Sequence, residues 1–556
     1  MTARRIGRAA GEEPAAALVT FTFDGREVGG VEGEPLAVAL LADGQAVISR
    51  SFRFHRPRGL MCSTGQCGWC ECEVDGVPSV RSCRVPVREG LVARGEHAWP
   101  SVEHDALAGL GTLSRWIPPT FYHHRFLRPR SLRKRYLDVI RGFGGRGTLR
   151  VGWTDARSDG FVGRPRGRVG RPMRSLETDV LVVGGGRAGL QAATGAAEAG
   201  ARVVLLETRN GERHPELEAS ARHSSVDVRV CTTAIGWYDG VVAAISSDEH
   251  LEITAATVVA AIGSYERVPL VPGADRPGVM GARIVLDVIE RYGVVPGERA
   301  LLIGDGPELA VTGDALRRTG ITEVVGPVPT TSLVAIRGHG TVTGADVRIG
   351  RRREHHAVDL IVFGDRSPNL DLVLAAGGKA RSVDGTLVPI VDEHGRTTVP
   401  TLFVTGSAAG RIGADDRRDD AARATGRAAA QVATGRRLRA ARRPTTPERV
   451  DEETPPGSNA VARGAIVCFC EDVRAWEIRA EQDRGYRDPE LIKRRTGALT
   501  GPCQGKQCLQ AFACLTTGPG ATGEDTALPT ARPPLRPVRL GELAAATTPD
   551  DGLARA

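Results

Sequence analysis

The chain has 556 residues, 41% hydrophobic and 25% charged, the balance of a globular protein, and at about 100–200 residues per domain its length suggests three or four domains. Lys and Arg number 74 against 66 Asp and Glu, a net charge of +8. Much of the excess lies in runs such as Arg125–Arg135 and Arg436–Arg443, which read as solvated linkers, and an aromatic content of 4% argues against a nucleic-acid surface, where basic residues interleave with exposed rings. No apolar run is long enough to span a membrane, and Glu12 and Glu13 interrupt the N-terminus before a secretory signal core forms. The expectation is a cytoplasmic protein, in which eleven cysteines suit metal or redox chemistry better than structural disulfides.

The first unit, 15–100, opens with VTFTFDGREV, alternating apolar and polar residues around Asp24-Gly25, a hairpin signal. A short helix is expected from Pro35 to Leu41. Cys62, Cys67 and Cys70 then stand at C-x4-C-x2-C, the plant-type ferredoxin spacing, and Cys83 follows on the return of a second hairpin at Asp75-Gly76. Gly65 and Gly68 let backbone N–H groups in that loop turn toward an anionic cluster. This segment resembles the ferredoxin-like, β-grasp [2Fe–2S] domains of multi-centre oxidoreductases. A four-cysteine zinc site is the alternative, and the x4 spacing argues against it. Cys72 reads as a small buried residue.

Residues 101–175 form a connector with a helix expected from Leu132 to Arg141 and a Gly/Arg-rich linker. His123 and His124 read as surface or packing residues, because the cysteine sets are complete without them.

From Asp179 to Glu207 the chain reads DVLVVGGGRAGLQAATGAAEAGARVVLLE. A buried strand leads into Gly184, Gly186 and Gly189 at G-x-G-x-x-G, an Ala-rich helix follows, and a second strand ends in Glu207, 21 residues after Gly186. The glycines serve the tight turn, the approach of a pyrophosphate and close helix–strand packing, and Glu207 can accept a ribose hydroxyl. The pattern returns weakly at Arg299–Gly320. Gly304 and Gly306 fit, but Leu309 takes the third position and the next strand, near Glu323–Val325, ends in Gly326. NAD(P) or another nucleotide at this second site stays open against a plain scaffold role. AVDLIVFGDRSPN and TTVPTLFVTGSAAG then return the chain to the first domain, giving expected segments of 176–285 and 386–435 for the FAD-binding domain and 286–385 for the second dinucleotide-type domain.

After a linker, 436–463, the unit 464–520 carries Cys468 and Cys470 as C-x-C, and Cys503 and Cys508 as C-x4-C, around helices expected at Trp476–Gln482 and Asp488–Thr496, the latter with an Asp cap and a first-turn proline. It resembles the small all-α [2Fe–2S] domain of bacterioferritin-associated ferredoxin, again with zinc as the alternative. Cys231 and Cys514 are expected to be buried. The tail, 521–556, is Pro-rich and expected to lie extended along the body or a partner.

RSFRFHRPRG, TFYHHRFLRPR, DVLVVGGGRAGLQAA, TTAIGWYDG and AIGSYERVPLVPGADRPGVMGA together resemble the alpha subunit of heterotetrameric sarcosine oxidase and the related subunits of opine, proline and hydroxyproline dehydrogenases and hydrogen cyanide synthase. The resemblance implies a multidomain α/β chain with a two-dinucleotide-domain, Rossmann-like FAD/NAD(P)-binding core and a [2Fe–2S] domain at each end. It implies FAD at Gly184, Gly186, Gly189, Glu207, Gly263, Gly406 and Ser407. It also implies electron transfer in an amine- or imino-acid-oxidising complex with an amino-acid-oxidase-like flavoprotein subunit, to which the cluster domains would present exposed ligands. Two departures stand out: the family's Gly-Asp is Gly406-Ser407 here, and TRNGERHPELEAS replaces a Gly-Gly segment after Glu207. The other readings are a self-sufficient NAD(P)H-dependent reductase and a non-catalytic cluster scaffold or redox sensor.

Overall fold

The structure is a computed structural model that describes residues 3–6, 17–113, 132–138, 171–209, 214–383, 385–410, 416–436, 461–517 and 527–538, with a few isolated positions besides. His123, His124 and both long linkers lie outside the described residues. Of the expected connector helix, 132–138 is described and is helical. Among the described residues no helix is long and apolar enough to cross a membrane. The chain forms two units interleaved in sequence, one of 1–164, 266–365 and 456–518, the other of 165–265, 366–455 and 519–556. The crossings at 265/266 and 365/366 come earlier than the expected boundaries at 285 and 385. The reason is a short ribbon, Ser264–Glu266 paired with Arg366–Pro368, through which the chain leaves and re-enters.

The second-named unit is built on an eight-stranded sheet. Its central strand, Arg171–Val183, runs parallel to Val203–Leu206 on one side and to His250–Ala260 on the other. Leu402–Val404 extends the sheet in parallel beyond His250–Ala260. These strands are nearly unbroken runs of Val, Leu and Ala because both faces are covered: Val180, Leu181 and Val182 have no exposure. The Ala-rich composition of helix Arg187–Glu198 has its own cause. It packs on helix Asp416–Ala433 so closely that a β-carbon at Gly195 would stand 2.3 Å from the Arg423 carbonyl oxygen, and one at Gly426 1.9 Å from that of Ala192. The tail segment lies on this unit, where Leu535 donates its N–H to the Ile235 carbonyl at 2.7 Å and buries its side chain.

The other unit combines three parts. The first is a five-stranded sheet in the order Arg26–Val31, Leu18–Phe23, Val92–Gly95, Glu71–Val74, Val77–Arg81. Its one parallel pair, Leu18–Phe23 with Val92–Gly95, and the buried helix Leu36–Ala42 give the expected β-grasp arrangement. The second is a parallel four-stranded sheet, Val279–Gly281, Leu360–Phe363, Arg299–Ile303 and Glu323–Val328, with helices Ala282–Tyr292 and Pro307–Arg318. The third is a cluster of three short helices, Ala475–Asp483, Pro489–Thr496 and Leu509–Thr516, with a two-stranded ribbon, Ile466–Cys468 and Val473–Arg474. Asp488 caps its helix as its sequence suggests, accepting the Leu491 N–H at 2.9 Å.

The segment Arg50–Arg58 ties these three parts together. Arg58 is buried and reaches two carboxylates at once, Asp275 of the parallel-sheet part at 2.8 Å and Asp472 of the helical part at 2.7 Å. Arg56 also pairs with Asp275, Arg53 forks onto Glu477, and Asp472 accepts the Phe54 N–H at 3.1 Å. Arg50 and His55 turn back onto Asp105. Burial by itself would raise the Asp275 carboxyl, but the charges and hydrogen bonds of Arg56 and Arg58 outweigh it and hold the group well below the carboxylate range. The expectation that arginines here sit mostly in linkers is thus corrected for Arg50, Arg53 and Arg58, which are structural ions.

Removing one partner of such a network strands the others. Asp275→Ala should cost about 3–5 kcal/mol, against less than about 1 kcal/mol for Asp314→Ala in the exposed Arg317 pair, read as shifts in urea midpoint. Because the folded Asp275 carboxyl is depressed, its stabilisation is fully present above its unfolded value of about 4 and is lost only in strong acid. The gap between wild type and variant should therefore hold constant from neutral pH down to about pH 5.

Candidate cofactor sites

Strand register brings the predicted dinucleotide residues to one end of the large sheet. Val183, Leu206, Ala260 and Val404 are neighbours across four parallel strands, so Gly184, Glu207, Ala261–Gly263 and Thr405–Ser407 follow at adjacent carboxyl ends, where α/β sheets bind ligands. Gly184 has φ +110°, and a β-carbon there would meet the Ala261 carbonyl at 2.4 Å. A β-carbon on Gly189 would collide with the Gly184 carbonyl at 1.8 Å, so glycine is required for helix to meet strand. Gly186 is different: it caps helix Arg187–Glu198 without a side-chain cap, and the space beside its Cα is open. That leaves the helix N-terminus for an anion. Glu207 is fixed over the turn by accepting the Gly185 N–H at 2.7 Å and the Arg209 N–H at 2.8 Å. Gly263 (φ +80°) also faces open space, and Gly406 (φ +66°) abuts Ala188 in the first turn of the helix, with Ser407 beside it. Gly184, Gly186, Gly189 and Glu207 fit the adenosine diphosphate half of FAD.

The second cradle differs in chemistry. Gly304 and Gly306 occupy the same places after strand Arg299–Ile303, and Gly306 caps helix Pro307–Arg318. There the first helical residue is Pro307, which has no N–H to offer a phosphate. A β-carbon on Gly304 would stand 2.2 Å from Oδ1 of Asp365, whose carboxyl burial pushes upward despite a 2.7 Å hydrogen bond from Thr330. Leu309 is buried against Gly364. The neighbouring strand runs on to Val328, paired with Ile303, so Pro329 rather than Gly326 stands where Glu207 stands in the first cradle.

Cys62, Cys67 and Cys70 lie in the loop before strand Glu71–Val74, and Cys83 lies in a 3-10 turn after strand Val77–Arg81. Gly65 and Gly68, at φ +73° and +71°, shape the loop. The thiols pair within hydrogen-bonding reach, Cys62 with Cys67 and Cys70 with Cys83. Hydrogen bonds from the Cys67 thiol, the Thr64 hydroxyl and N–H, and the Gln66 N–H outweigh burial and push the Cys62 thiol down to about 5, toward the thiolate that binds metal. In the helical part the four thiols form a chain, Cys470 within hydrogen-bonding reach of Cys503, Cys503 of Cys508 and Cys508 of Cys468. Among the described residues no three His, Cys, Asp or Glu side chains are grouped to hold a single metal ion. In the first quartet, two-plus-two pairing suits the two irons of a [2Fe–2S] rhomb better than one tetrahedral zinc, which needs four thiolates around a point.

Several features differ from the sequence expectation. Seven of the eight cysteines are buried and Cys470 is partly so, rather than exposed. The two quartets face each other: Cys470 Sγ stands 3.9 Å from the Cys67 carbonyl oxygen, and the Trp69 and Phe469 rings lie 4.9 Å apart. An aromatic residue inside each ligand motif was the sequence signal for this contact. Cys72 is buried as expected, but Cys231 is exposed and Cys514 half-buried.

Residues 16–98 match the 2Fe-2S iron-sulfur cluster binding domain family, 179–226 an FAD binding domain family and 463–547 the sarcosine oxidase A3 domain family. The chain is 29% identical to the sarcosine oxidase alpha subunit of Rhizobium meliloti (strain 1021), over 95% of this chain and 58% of that protein. It is 25% identical to an opine oxidase subunit of Agrobacterium tumefaciens (strain Ach5), over 66% of this chain and 91% of the relative. A crystal structure of L-proline dehydrogenase from P. horikoshii superposes with a TM-score of 0.66 at 22% identity, covering 96% of this chain and 98% of that one, and shares the fold. The chain spans little more than half the length of the sarcosine oxidase subunit it matches. With a 2Fe-2S domain followed by an FAD-binding domain, the chain is similar in sequence to the alpha subunit of sarcosine oxidase.

Proposed function

We propose that the chain is an FAD-dependent oxidoreductase subunit passing electrons between a flavin and two [2Fe–2S] centres in a complex that oxidises sarcosine, proline, hydroxyproline or an opine. The observation that carries this reading is two quartets of cysteines, the thiols of each within hydrogen-bonding reach of a neighbour, in a chain that also holds an FAD-type cradle. Gly184, Gly186 and Gly189 would receive the FAD pyrophosphate, Glu207 a ribose hydroxyl, and Ser407 the ribityl chain, with Gly263 and Gly406 leaving room for it. Cys62, Cys67, Cys70 and Cys83 would hold one cluster and Cys468, Cys470, Cys503 and Cys508 the other. Bound FAD supplies exchange of one or two electrons, which lets a substrate's electron pair be divided among one-electron carriers.

The reading as a self-sufficient NAD(P)H reductase needs a dinucleotide on Gly304 and Gly306. Pro307, Asp365, Leu309 and Pro329 argue against it, and no nucleotide is assigned there. No motif gives this chain an arginine or general base for an amino-acid substrate, and the buried Arg50, Arg53 and Arg58 already face carboxylates. The substrate flavin is therefore placed on a separate amino-acid-oxidase-like subunit.

Purified anaerobically, the chain should hold about four irons and give two reduced [2Fe–2S] EPR signals. Cys67→Ser should remove one and Cys503→Ser the other; stoichiometric zinc without iron at either site would refute that assignment.

FAD should bind non-covalently, and Ser407→Asp should tighten it about tenfold, because a charge-assisted hydrogen bond to a ribityl hydroxyl contributes roughly 1–2 kcal/mol. Unchanged affinity in a fluorescence titration would show that the ribityl chain runs elsewhere.

Amine-dependent dye reduction should require the partner subunit. Turnover on the order of 1 s⁻¹ by this chain alone, loaded with FAD and both clusters, would overturn the partner requirement.

A further inference from the structure

The two cysteine quartets come from opposite ends of the sequence, yet their loops touch. Trp69 lies between Cys67 and Cys70, Phe469 between Cys468 and Cys470, and their rings are in contact. At this junction stands Arg81, the last residue of strand Val77–Arg81 and two residues before Cys83. Its side chain is 12% exposed. The guanidinium Nη2 donates to the Pro502 carbonyl at 3.2 Å, next to Cys503 of the other quartet, and lies 3.5 Å from Glu71. Its buried Nε has no hydrogen-bond partner among the described residues. A buried N–H left unmatched costs stability unless something accepts from it.

A thiolate-held iron–sulfur cluster is anionic in its oxidised state and more so when reduced. A fixed cation within a few ångströms therefore favours reduction and raises the potential. Lys506, on the Cys503–Cys508 loop, acts on Cys503, and Arg283 on Cys62. The Arg81 charge interacts most with Glu71 and then with both quartets, with Cys67 and Cys70 of one and Cys470 of the other.

We propose that Arg81 is a shared counter-charge for the two [2Fe–2S] centres, raising both potentials together. Arg81 acts as a positioning and tuning residue, and its role rests on the two-cluster reading given above. The guanidinium is suited to this because it stays charged in every redox state and its planar fork can face two partners at once. The wedge between the loops also explains why strand Val77–Arg81 ends in a long cation where the solvent-facing alternatives Ser or Thr would serve the sheet equally.

The test is an EPR-monitored redox titration of the full chain carrying FAD and both clusters, with the two signals assigned by Cys67→Ser and Cys503→Ser. Arg81→Met should weaken reduction of each centre at least tenfold, a fall of 59 mV or more for a one-electron couple. Arg81→Lys, which keeps the charge, should lower both by clearly less. Lys506→Met should move only the signal lost in Cys503→Ser, and Arg94→Met, on the exposed face of the central strand Val92–Gly95, neither. Should Arg81→Met lose iron, Arg81→Gln keeps a donor for the Pro502 carbonyl without the charge and is read the same way. A shift in only one potential, or in neither, or an equal shift in Arg81→Lys and Arg81→Met, overturns the shared role. Two irons and a single signal in the wild type would instead overturn the two-cluster reading itself, and the shared role with it.

Discussion

Arg58 holds together the unit that carries both cysteine quartets. A buried guanidinium between Asp275 and Asp472 is costly to desolvate, and it is tolerated because each of its forks meets a carboxylate in good geometry. The two carboxylates belong to segments about two and four hundred residues away in sequence. Without that ion Asp472 would be a buried carboxylate lacking its guanidinium, and Asp275 would rest on Arg56 alone. Arg53 with Glu477, and Arg50 with His55 and Asp105, repeat the device on either side. The Arg50–Arg58 segment is rich in charge yet largely buried because its charges are matched across parts.

That clasp has a consequence for electron flow. It sets the loop of Cys62–Cys70 against the loop of Cys468–Cys470, so that two thiol quartets made by different folds share one apolar boundary of Trp69 and Phe469. Low dielectric between them lengthens the reach of any charge placed there. Arg81 is such a charge, and its position brings it to bear on thiols of both quartets.

The two nucleotide-type cradles show how the same backbone turn can serve different ends. Both have strand, Gly-x-Gly turn and helix. In the first, open space beside Gly186 and a carboxylate fixed over Gly185 leave a surface complementary to a pyrophosphate and a ribose. In the second, Pro307 removes a donor and Asp365 sets a carboxylate against Gly304.

Local sequence was enough for whatever depends on short-range chemistry. The hairpins at Asp24-Gly25 and Asp75-Gly76, the capped helix after Asp488, the glycine turn at Gly184–Gly189 and the spacing of the eight cysteines are set by φ preferences, capping and ligand reach within a few residues. The fixing of Glu207 follows from the length of one strand–helix–strand unit. What the sequence did not disclose depends on long-range pairing. The crossings at 265/266 and 365/366 are set by a ribbon joining segments a hundred residues apart, and the true end of strand Glu323–Val328 by its register with Arg299–Ile303. Asp365 against Gly304, the partners of Arg58, and Arg81 between two cysteine quartets are matters of which distant side chains share a desolvated space. Composition cannot report this, because an arginine in a linker and an arginine in a buried ion pair are the same letter until tertiary structure supplies the carboxylate.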